Sequence, residues 1–329
     1  HLDVRLGDYP QGRFDIQGSG DRASTHLVIP GGEILGGTLS GKASADWSQS
    51  LNWEAAIQVH GIDPEPLLPG WPGRLDSEFE VSAQSQPQQT HINLLALQGV
   101  LRGVGISAHG SVEVTDTGMA FKHMEVRTDE AVLELNGDTT DAAGASVRFN
   151  GYLPSELLQG ASGSVELQGR YSSHVAQPLL ELQLQALDLA WNGVSIKDLT
   201  VSAPQTNTTG RVPALLLDAK GVALNEILLD ELSLSLNSTD ELYELKTSMA
   251  GENIDLKSAM NLTLENPDEP LNGPWKGLLT ELEFAVGPAY IFELSEPAAI
   301  IWSSGSVLLG PVCLTENAGG SLCLDLDYK

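Results

Sequence analysis

The chain has 329 residues, and its 17 lysines and arginines against 44 aspartates and glutamates give a formal net charge of −27 at pH 7. This charge argues against nucleic acid as a partner, because binding to phosphates requires a cationic face, and against docking flat on an anionic bilayer. Aromatic residues make up only 5% of the chain while glycine contributes 34 residues, a composition typical of short strands joined by tight turns.

The sequence contains no apolar run that approaches the ~18–20 residues of a membrane-spanning helix. It opens HLDVRLG, without the basic and apolar regions of a signal peptide. We therefore expect a mature protein or an excised fragment, with any membrane anchor outside these residues.

Alternation of apolar with polar or small residues is the dominant pattern along the chain, and it predicts strands with one apolar face. In chain order, the alternating apolar residues are Trp53, Ala55, Ile57 and Val59; Phe79, Val81 and Ala83; Ala131, Leu133 and Leu135; Leu180, Leu182 and Leu184; Leu232, Leu234 and Leu236; Tyr243, Leu245, Thr247 and Met249; Ile254 and Leu256; Met260, Leu262 and Leu264; Phe284 and Val286; and Leu322, Leu324 and Leu326. Turn signals between strands are Asn136-Gly137-Asp138, Asn150-Gly151, Asn192-Gly193, Asn266-Pro267-Asp268 and Ala318-Gly319-Gly320.

Two short segments predict single helical turns, and they mark possible sub-boundaries near residues 61–72 and 152–160. In the first, Asp63 can cap the turn, Pro64 suits its start, and Pro69-Gly70 ends it. The second is Pro154-Ser155-Glu156-Leu157-Leu158.

An internal repeat is visible at an offset of 33 residues. ALDLAWNGVSIKDLTVS, residues 186–202, aligns with AKGVALNEILLDELSLS, residues 219–235, so that Asn192 matches Asn225. A weaker echo is GSVEVTDTGMAFKHMEVRT, residues 110–128. Repetition of a strand–turn–strand unit at this scale indicates an array of stacked units. We therefore expect residues 1–329 to form a single elongated, repeat-built segment.

Strands with one apolar face must cover that face, by a sandwich, a closed barrel, a β-helix or one long sheet folded over on itself. The Leu-rich, aromatic-poor composition and the 33-residue repeat favour the last. We expect one long, twisted and creased antiparallel sheet that forms an open apolar groove. The predicted groove-lining residues are Trp53, Ile57, Val59, Phe79, Val81, Val112, Val114, Leu133, Leu135, Val165, Leu167, Leu182, Leu184, Val194, Ile196, Ile227, Leu229, Leu232, Leu234, Leu236, Leu245, Ile254, Leu256, Leu262, Leu264, Phe284, Leu322, Leu324 and Leu326.

Few residues suggest chemistry. Cys313 and Cys323 have the strand parity of outward-facing partners on a hairpin, which favours a disulfide over two free thiols or a redox or metal site. None of the seven histidines has metal-ligand spacing, and Asp325 with Asp327 is better explained as a solvated face than as a calcium site. No nucleophile is paired with a base, so we expect no enzyme, no cofactor and no bound metal.

Three stretches carry a resemblance to a known family: residues 52–83, residues 105–138, and EPLNGPWKGLLTELEFAV with SVLLGPVCLTENAGGSLCLDLDY towards the end. They resemble the middle to late-middle part of the TamB family, the inner-membrane component of the translocation and assembly module. That family is AsmA-like and is related by architecture to bridge-like lipid transfer proteins. The resemblance implies a groove of the kind called a β-taco, with no catalytic residues.

The resemblance also implies a setting. It places the chain in the periplasm of a Gram-negative bacterium, with an inner-membrane helix upstream and a C-terminal domain downstream that engages TamA in the outer membrane, both outside this segment. It implies roles in outer-membrane integrity, phospholipid delivery and outer-membrane protein assembly.

We expect a periplasmic conduit that binds phospholipid acyl chains and carries them between the two membranes. Two alternatives remain open. One is a scaffold or holdase for outer-membrane proteins such as autotransporters, acting with TamA. The other is a secreted β-solenoid adhesin with a dry interior.

Overall fold

The protein is all-β. A computed structural model describes residues 2–4, 12–174, 179–204, 214–225, 227–239, 242–264, 274–287, 290–303, 306–317 and 319–328. Those ranges contain strands and no helix, which confirms the predicted all-β fold class. Within them there is therefore no helix that is long and apolar enough to span a membrane. The strands are β1 (Leu2–Val4), β2 (Gly12–Gly20), β3 (Ser24–Ile34), β4 (Gly37–Asp46), β5 (Asn52–Ile62), β6 (Gly73–Ser85), β7 (Gln88–Leu101), β8 (Val104–Thr115), β9 (Met119–Thr128), β10 (Ala131–Asp138), β11 (Ala145–Tyr152), β12 (Ser162–Ser172), β13 (Leu179–Trp191), β14 (Val194–Ala203), β15 (Leu215–Leu224), β16 (Ile227–Thr239), β17 (Leu242–Gly251), β18 (Ile254–Leu264), β19 (Trp275–Val286), β20 (Tyr290–Leu294), β21 (Ala298–Ser303), β22 (Ser306–Glu316) and β23 (Ser321–Tyr328).

The alternation in the sequence reappears as alternation in burial. In β11, for example, Ala145, Val147 and Phe149 are half-buried while Ser146 and Arg148 between them are exposed. Successive side chains of a strand point to opposite faces, so each such strand has one sheltered apolar face and one wet face.

The strands fall into two units. Unit 1 comprises His1–Ala161 and Gln168–Leu179, and unit 2 comprises Ser162–Leu167 and Leu180–Lys329, so the division falls within β12. In unit 1 each strand from β1 to β11 pairs antiparallel with the next. In unit 2 the same holds from β13 to β19, and β22 pairs with β23. Between β19 and β22, the short strands β20 and β21 pair with both neighbours and share one strand position.

The 33-residue repeat corresponds to two successive hairpins, β13–β14 and β15–β16. Their turns begin at Asn192 and Asn225, which have φ angles of +48° and +53°. Asparagine tolerates this left-handed region better than most residues, and Asn-Gly is a favoured hairpin turn, so the turn signal at 192–193 is confirmed. The turn predicted near Gly319 is also confirmed, since the Gly319 N–H donates to the Glu316 carbonyl at 2.9 Å.

Two other turn signals fall at the ends of strands. Residues 136–138 end β10, and Asp138 begins the turn that follows, where its carboxylate accepts the Thr140 N–H at 2.7 Å. Residues 150–151, near the end of β11, are still paired with β10, so the turn predicted at that pair was wrong. Gly137 and Gly151 have φ angles of +105° and +144°, and a Cβ at Gly151 would collide with the backbone of residues 130 and 131 on the neighbouring strand. Glycine is therefore needed at Gly151 for a close approach of strands rather than for a turn. The signal at 266–268 lies outside the described residues.

Both segments predicted as short helical turns contain a single hydrogen-bonded turn with the same geometry. The Leu68 N–H donates to the Pro64 carbonyl and the Leu158 N–H to the Pro154 carbonyl, each at 2.9 Å. Each turn ends at a glycine two residues further on with a φ angle near +80°, +86° in the first and +75° in the second. A Pro-x-x-Leu-Leu-x-Gly motif is thus used twice in unit 1.

Arg102 joins these two turns. Its guanidinium group lies 5.3 Å from the centre of the Trp71 ring, at the end of the first turn, and its Nη1 donates to the Leu157 carbonyl of the second at 3.2 Å. A cation over an aromatic ring and a charge-assisted hydrogen bond together hold the turns in place.

The fold leaves much of the chain in contact with water. The 35.0 kDa chain exposes 20477 Å² of surface. Two separate compact globules of half this mass would together expose roughly 16,000 Å² by the scaling of folded proteins. The excess shows that the chain as a whole buries less of its surface than two compact domains of the same total mass would.

Candidate functional site

Strand pairing in unit 1 gathers the predicted wall residues on one face, which we call the apolar face. β5 directs Trp53, Ile57 and Val59 to the same side. Ile57 lies opposite Phe79 on β6, which lies opposite Leu94 on β7. The remaining predicted wall residues of this unit share that face, and they are Val81, Val112, Val114, Leu133 and Leu135.

The apolar face of unit 2 is built in the same way. On β16, Leu234 lies opposite Leu217, which lies opposite Val201, which lies opposite Leu184. A parallel row runs from Leu232 through the neighbouring strands. The predicted wall residues found on this face are Leu182, Leu184, Leu232, Leu234, Leu236, Leu245, Ile254, Leu256, Leu262, Leu264 and Phe284.

A break in alternation crosses β13 to β16 and keeps four further wall residues on the apolar face. Asp230 and Glu231 are consecutive exposed residues, so Leu229 before them and Leu232 after them lie on the same side. The alternation is interrupted at the same level on the strands β13 and β15, at Asp188 and Gly221, whose φ angles are +51° and +58°. The four residues retained in this way are Val194, Ile196, Ile227 and Leu229.

The other predicted wall residues lie on β12 and β23. On β12, Val165 and Leu167 are half-buried and alternate with exposed polar residues. On β23, Leu322 and Leu324 are exposed and lie opposite Leu314 and Val312. Leu326 pairs with Leu309 in the same register, and its side chain lies outside the described residues.

The predicted disulfide is present. Cys313 on β22 and Cys323 on β23 are direct cross-strand partners with an S–S bond of 2.05 Å. Val312 and Leu314 are buried on the opposite face of β22, so the cysteines lie on the polar face as their parity indicated. The disulfide therefore joins the two strands without occupying the apolar face.

The apolar face is sheltered rather than sealed. Most of its side chains are half-buried, and two clusters of fully buried side chains lie in unit 2. In one of them Tyr243 packs edge-on against Trp275, with ring centres 5.0 Å apart, beside Leu262 and Leu264. Apolar surface of this extent left accessible to water is typical of a binding site.

The polar face carries the charges and several shallow cavities. The largest that we describe, about 860 Å³, lies in unit 2 beside Lys257 and Glu283, whose charged groups are 2.9 Å apart. That hydrogen bond raises the pKa of Lys257, and in unit 1 the bond from Arg127 lowers the pKa of Glu125. The two partners of each pair satisfy one another, so we assign binding to the apolar face. Among the residues described, no three of His, Cys, Asp and Glu gather as metal ligands.

Sequence reasoning missed two features of this region. The first is the break in alternation, whose only signals were the adjacent acidic residues Asp230 and Glu231 within an otherwise regular strand. The second is the duplicated Pro-x-x-Leu-Leu-x-Gly turn, which an alignment of the two predicted turns at an offset of 90 residues would have revealed.

Comparison with known proteins gives a family. The family model described as TamB, N-terminal domain, matches residues 1–329, whereas the sequence had indicated a middle segment of that family. No solved structure matches the chain. The TamB family comprises bacterial envelope proteins that act in outer-membrane assembly and lipid transport and work with TamA. The all-β fold agrees with the match, and the chain belongs to the TamB family.

Proposed function

We propose that this chain is part of a periplasmic hydrophobic conduit that carries phospholipid acyl chains between the inner and outer membranes. The observation that carries the proposal is the set of apolar rows, such as Leu184–Val201–Leu217–Leu234, that run from strand to strand and stay partly accessible. In this proposal the chain performs no chemistry and needs no cofactor.

The energetics suit a passive path. Each buried methylene is worth about 0.8 kcal/mol, so an acyl chain of about 16 carbons gains on the order of 10 kcal/mol when it leaves water for an apolar wall. A bilayer offers much the same gain, so transfer from membrane to protein is close to neutral. The wall acts by removing the aqueous barrier, and it does not have to drive transfer.

The charge distribution suits the periplasm between two membranes. The chain has a net charge of −27, and charge of this size keeps an open sheet soluble and discourages edge-to-edge association. Anchoring in the inner membrane and contact with TamA in the outer membrane fall, in this proposal, to regions outside this segment.

Site-specific photo-crosslinking tests the proposal. A photoreactive residue is placed at Leu234, on the apolar face, and in a matched variant at Ser235, which lies opposite Leu216 and Lys246 on the polar face. Ultraviolet irradiation of living cells, followed by mass spectrometry of the adducts, should give phospholipid adducts at position 234 and few at 235. Equal labelling at both positions, or no lipid at either, would overturn the proposal.

The same experiment separates the proposal from its alternatives. A scaffold or holdase would give adducts with outer-membrane proteins, and not with lipid, at position 234. A dry solenoid would give adducts with neither.

A further inference from the structure

Two turns of unit 1 carry leucines that the fold leaves largely unused. They are the two Pro-x-x-Leu-Leu-x-Gly turns, residues 64–70 and 154–160, and together with Arg102, which joins them, we call them the Leu-Leu platform. Leu67, Leu68 and Leu158 are between 47% and 57% exposed. Tyr152, just before the second turn, is 60% exposed. The platform therefore presents apolar side chains to water at the ends of strands, away from the middle of the apolar face.

The two turns present their leucines in the same way. In both, the N–H of the residue after the glycine donates to the carbonyl of the second leucine, at 3.0 Å from Trp71 and at 2.8 Å from Ala161. These bonds and those to the proline carbonyls join backbone atoms, so the turn geometry does not depend on leucine side chains. Single exposed leucines are ordinary, but two matched pairs that lie together form an apolar patch, which is typical of an interaction site.

Arg102 brings the two turns together. It lies in the turn between β7 and β8, where its N–H donates to the Pro72 carbonyl at 2.7 Å. Strand pairing puts β8 and β11 three strand spacings apart, about 14 Å along the sheet. The Arg102 guanidinium nonetheless contacts both Trp71 and the Leu157 carbonyl, so the turns converge along this rim. A platform that is ordered before binding loses less conformational freedom when a partner docks.

The charge around the platform restricts the chemistry of a partner. The β9–β10 turn lies on the same rim, and acidic side chains outnumber basic ones among the described residues there: Asp63, Glu65, Asp129, Glu130 and Glu156 against Arg74 and Arg102. Arg102 is already engaged by Trp71 and Leu157. An acidic border disfavours anionic surfaces, including anionic bilayers, and attracts basic ones.

We propose that the Leu-Leu platform docks a partner protein whose surface has an apolar groove bordered by lysine or arginine side chains. Both leucine pairs enter the groove at once, and Glu156 with the β9–β10 turn faces the basic border. This interaction uses the rim of unit 1 and leaves the apolar face free, so it stands apart from the proposed conduit. Because the two pairs bind jointly, loss of one pair weakens the hold on the other.

Crosslinking in living cells tests the proposal on the full-length protein. A photoreactive residue replaces Leu68 in one variant and Leu158 in a second. A third carries it at Thr117, which is exposed in the β8–β9 turn at the opposite rim. Mass spectrometry of the adducts should identify the same protein at positions 68 and 158 and not at 117. Different proteins at the two turns, lipid in place of protein, or no adduct at either would overturn the proposal.

A second substitution tests whether the leucine pairs bind jointly. With the probe at position 158, Leu67→Asp in the other turn should reduce the adduct at least five-fold, whereas Thr117→Asp should leave it within two-fold. Both positions are exposed, so both proteins should fold, as checked by circular dichroism and thermal unfolding. An unchanged adduct in a folded Leu67→Asp protein would overturn joint docking.

Neighbouring exposed positions of the second turn test the basic border. With the probe at position 68, Glu156→Lys should reduce the adduct at least five-fold, and Gln159→Glu should retain or increase it. Equal adducts in the two variants would overturn the assignment of a basic partner.

Discussion

Replacement of Leu234 by aspartate should block acyl chains at one level of the apolar face. Leu234 is half-buried on β16, between Leu217 on β15 and Thr247 on β17. The matched control is Ser235→Asp, whose new carboxylate would stand on the polar face opposite Lys246, where a negative charge is favourable.

The magnitude follows from the spacing of the strands. Neighbouring strands lie about 4.8 Å apart, so one leucine contacts roughly three to four methylenes of an extended acyl chain. Each methylene contributes about 0.8 kcal/mol, so replacing that contact with a hydrated carboxylate reduces the binding free energy of the acyl chain by about 3 kcal/mol. Since about 1.4 kcal/mol changes an equilibrium tenfold, occupancy at this level should fall on the order of 100-fold.

The assay compares lipid adducts at the neighbouring wall position 217, in otherwise identical chains carrying Leu234→Asp or Ser235→Asp. The first should lose most of its adducts and sensitise cells to detergents and large antibiotics, while the second behaves as the unchanged protein. Losing a half-buried leucine also costs stability, roughly 2 kcal/mol, so thermal unfolding of both variants is measured in parallel. Retained adducts and intact membranes in a folded Leu234→Asp chain would refute the reasoning.

Three further predictions concern local structure. Serine at both Cys313 and Cys323 should weaken the β22–β23 hairpin by about 2.5 to 3 kcal/mol, the chain-entropy value for so short a loop, and unchanged hydrogen exchange of its amides would contradict this. The Asp21 carboxylate accepts backbone N–H bonds of 2.7 and 2.9 Å in the β2–β3 turn, which lower its pKa, so its contribution to stability is present above the unfolded pKa and lost as the pH falls through the lower folded pKa. Hydrogen exchange of β2 and β3 should show that acid step, and Asp21→Asn should remove it. Alanine at Asn192 or Asn225 should destabilise its hairpin by about 1 kcal/mol because of the positive φ, whereas glycine should not, as thermal unfolding can measure.

Much of the architecture could be predicted because its causes are local. Alternation over a few residues fixes which side chains share a face, so the strands around Ile57, Leu133 and Leu234 and the parity of the two cysteines were predictable. Asn192-Gly193 specified its hairpin because that dipeptide tolerates the dihedral angles a two-residue turn requires. The assignment of the apolar face to lipid stays a prediction.

The exceptions have non-local causes. The Asn150-Gly151 pair resembles a turn signal, yet Gly151 is still paired within β11, and glycine is needed there because the neighbouring strand approaches too closely for a Cβ. The sequence could not show this, since the colliding atoms at residues 130 and 131 are brought close only by the pairing of β10 with β11.

By itself, then, the sequence determined that the chain would form strands with one oily and one wet face, because side-chain alternation is a property of the extended backbone. Only the tertiary structure decided that the apolar rows join across strands and that the break at Asp188, Gly221 and Asp230 keeps Leu229 and Leu232 on one side. It also decided where the apolar face is covered, as it is at Tyr243, Leu262 and Leu264. Coverage depends on which distant side chains meet, as Tyr243 meets Trp275, and such meetings are set by strand register and packing over the whole unit.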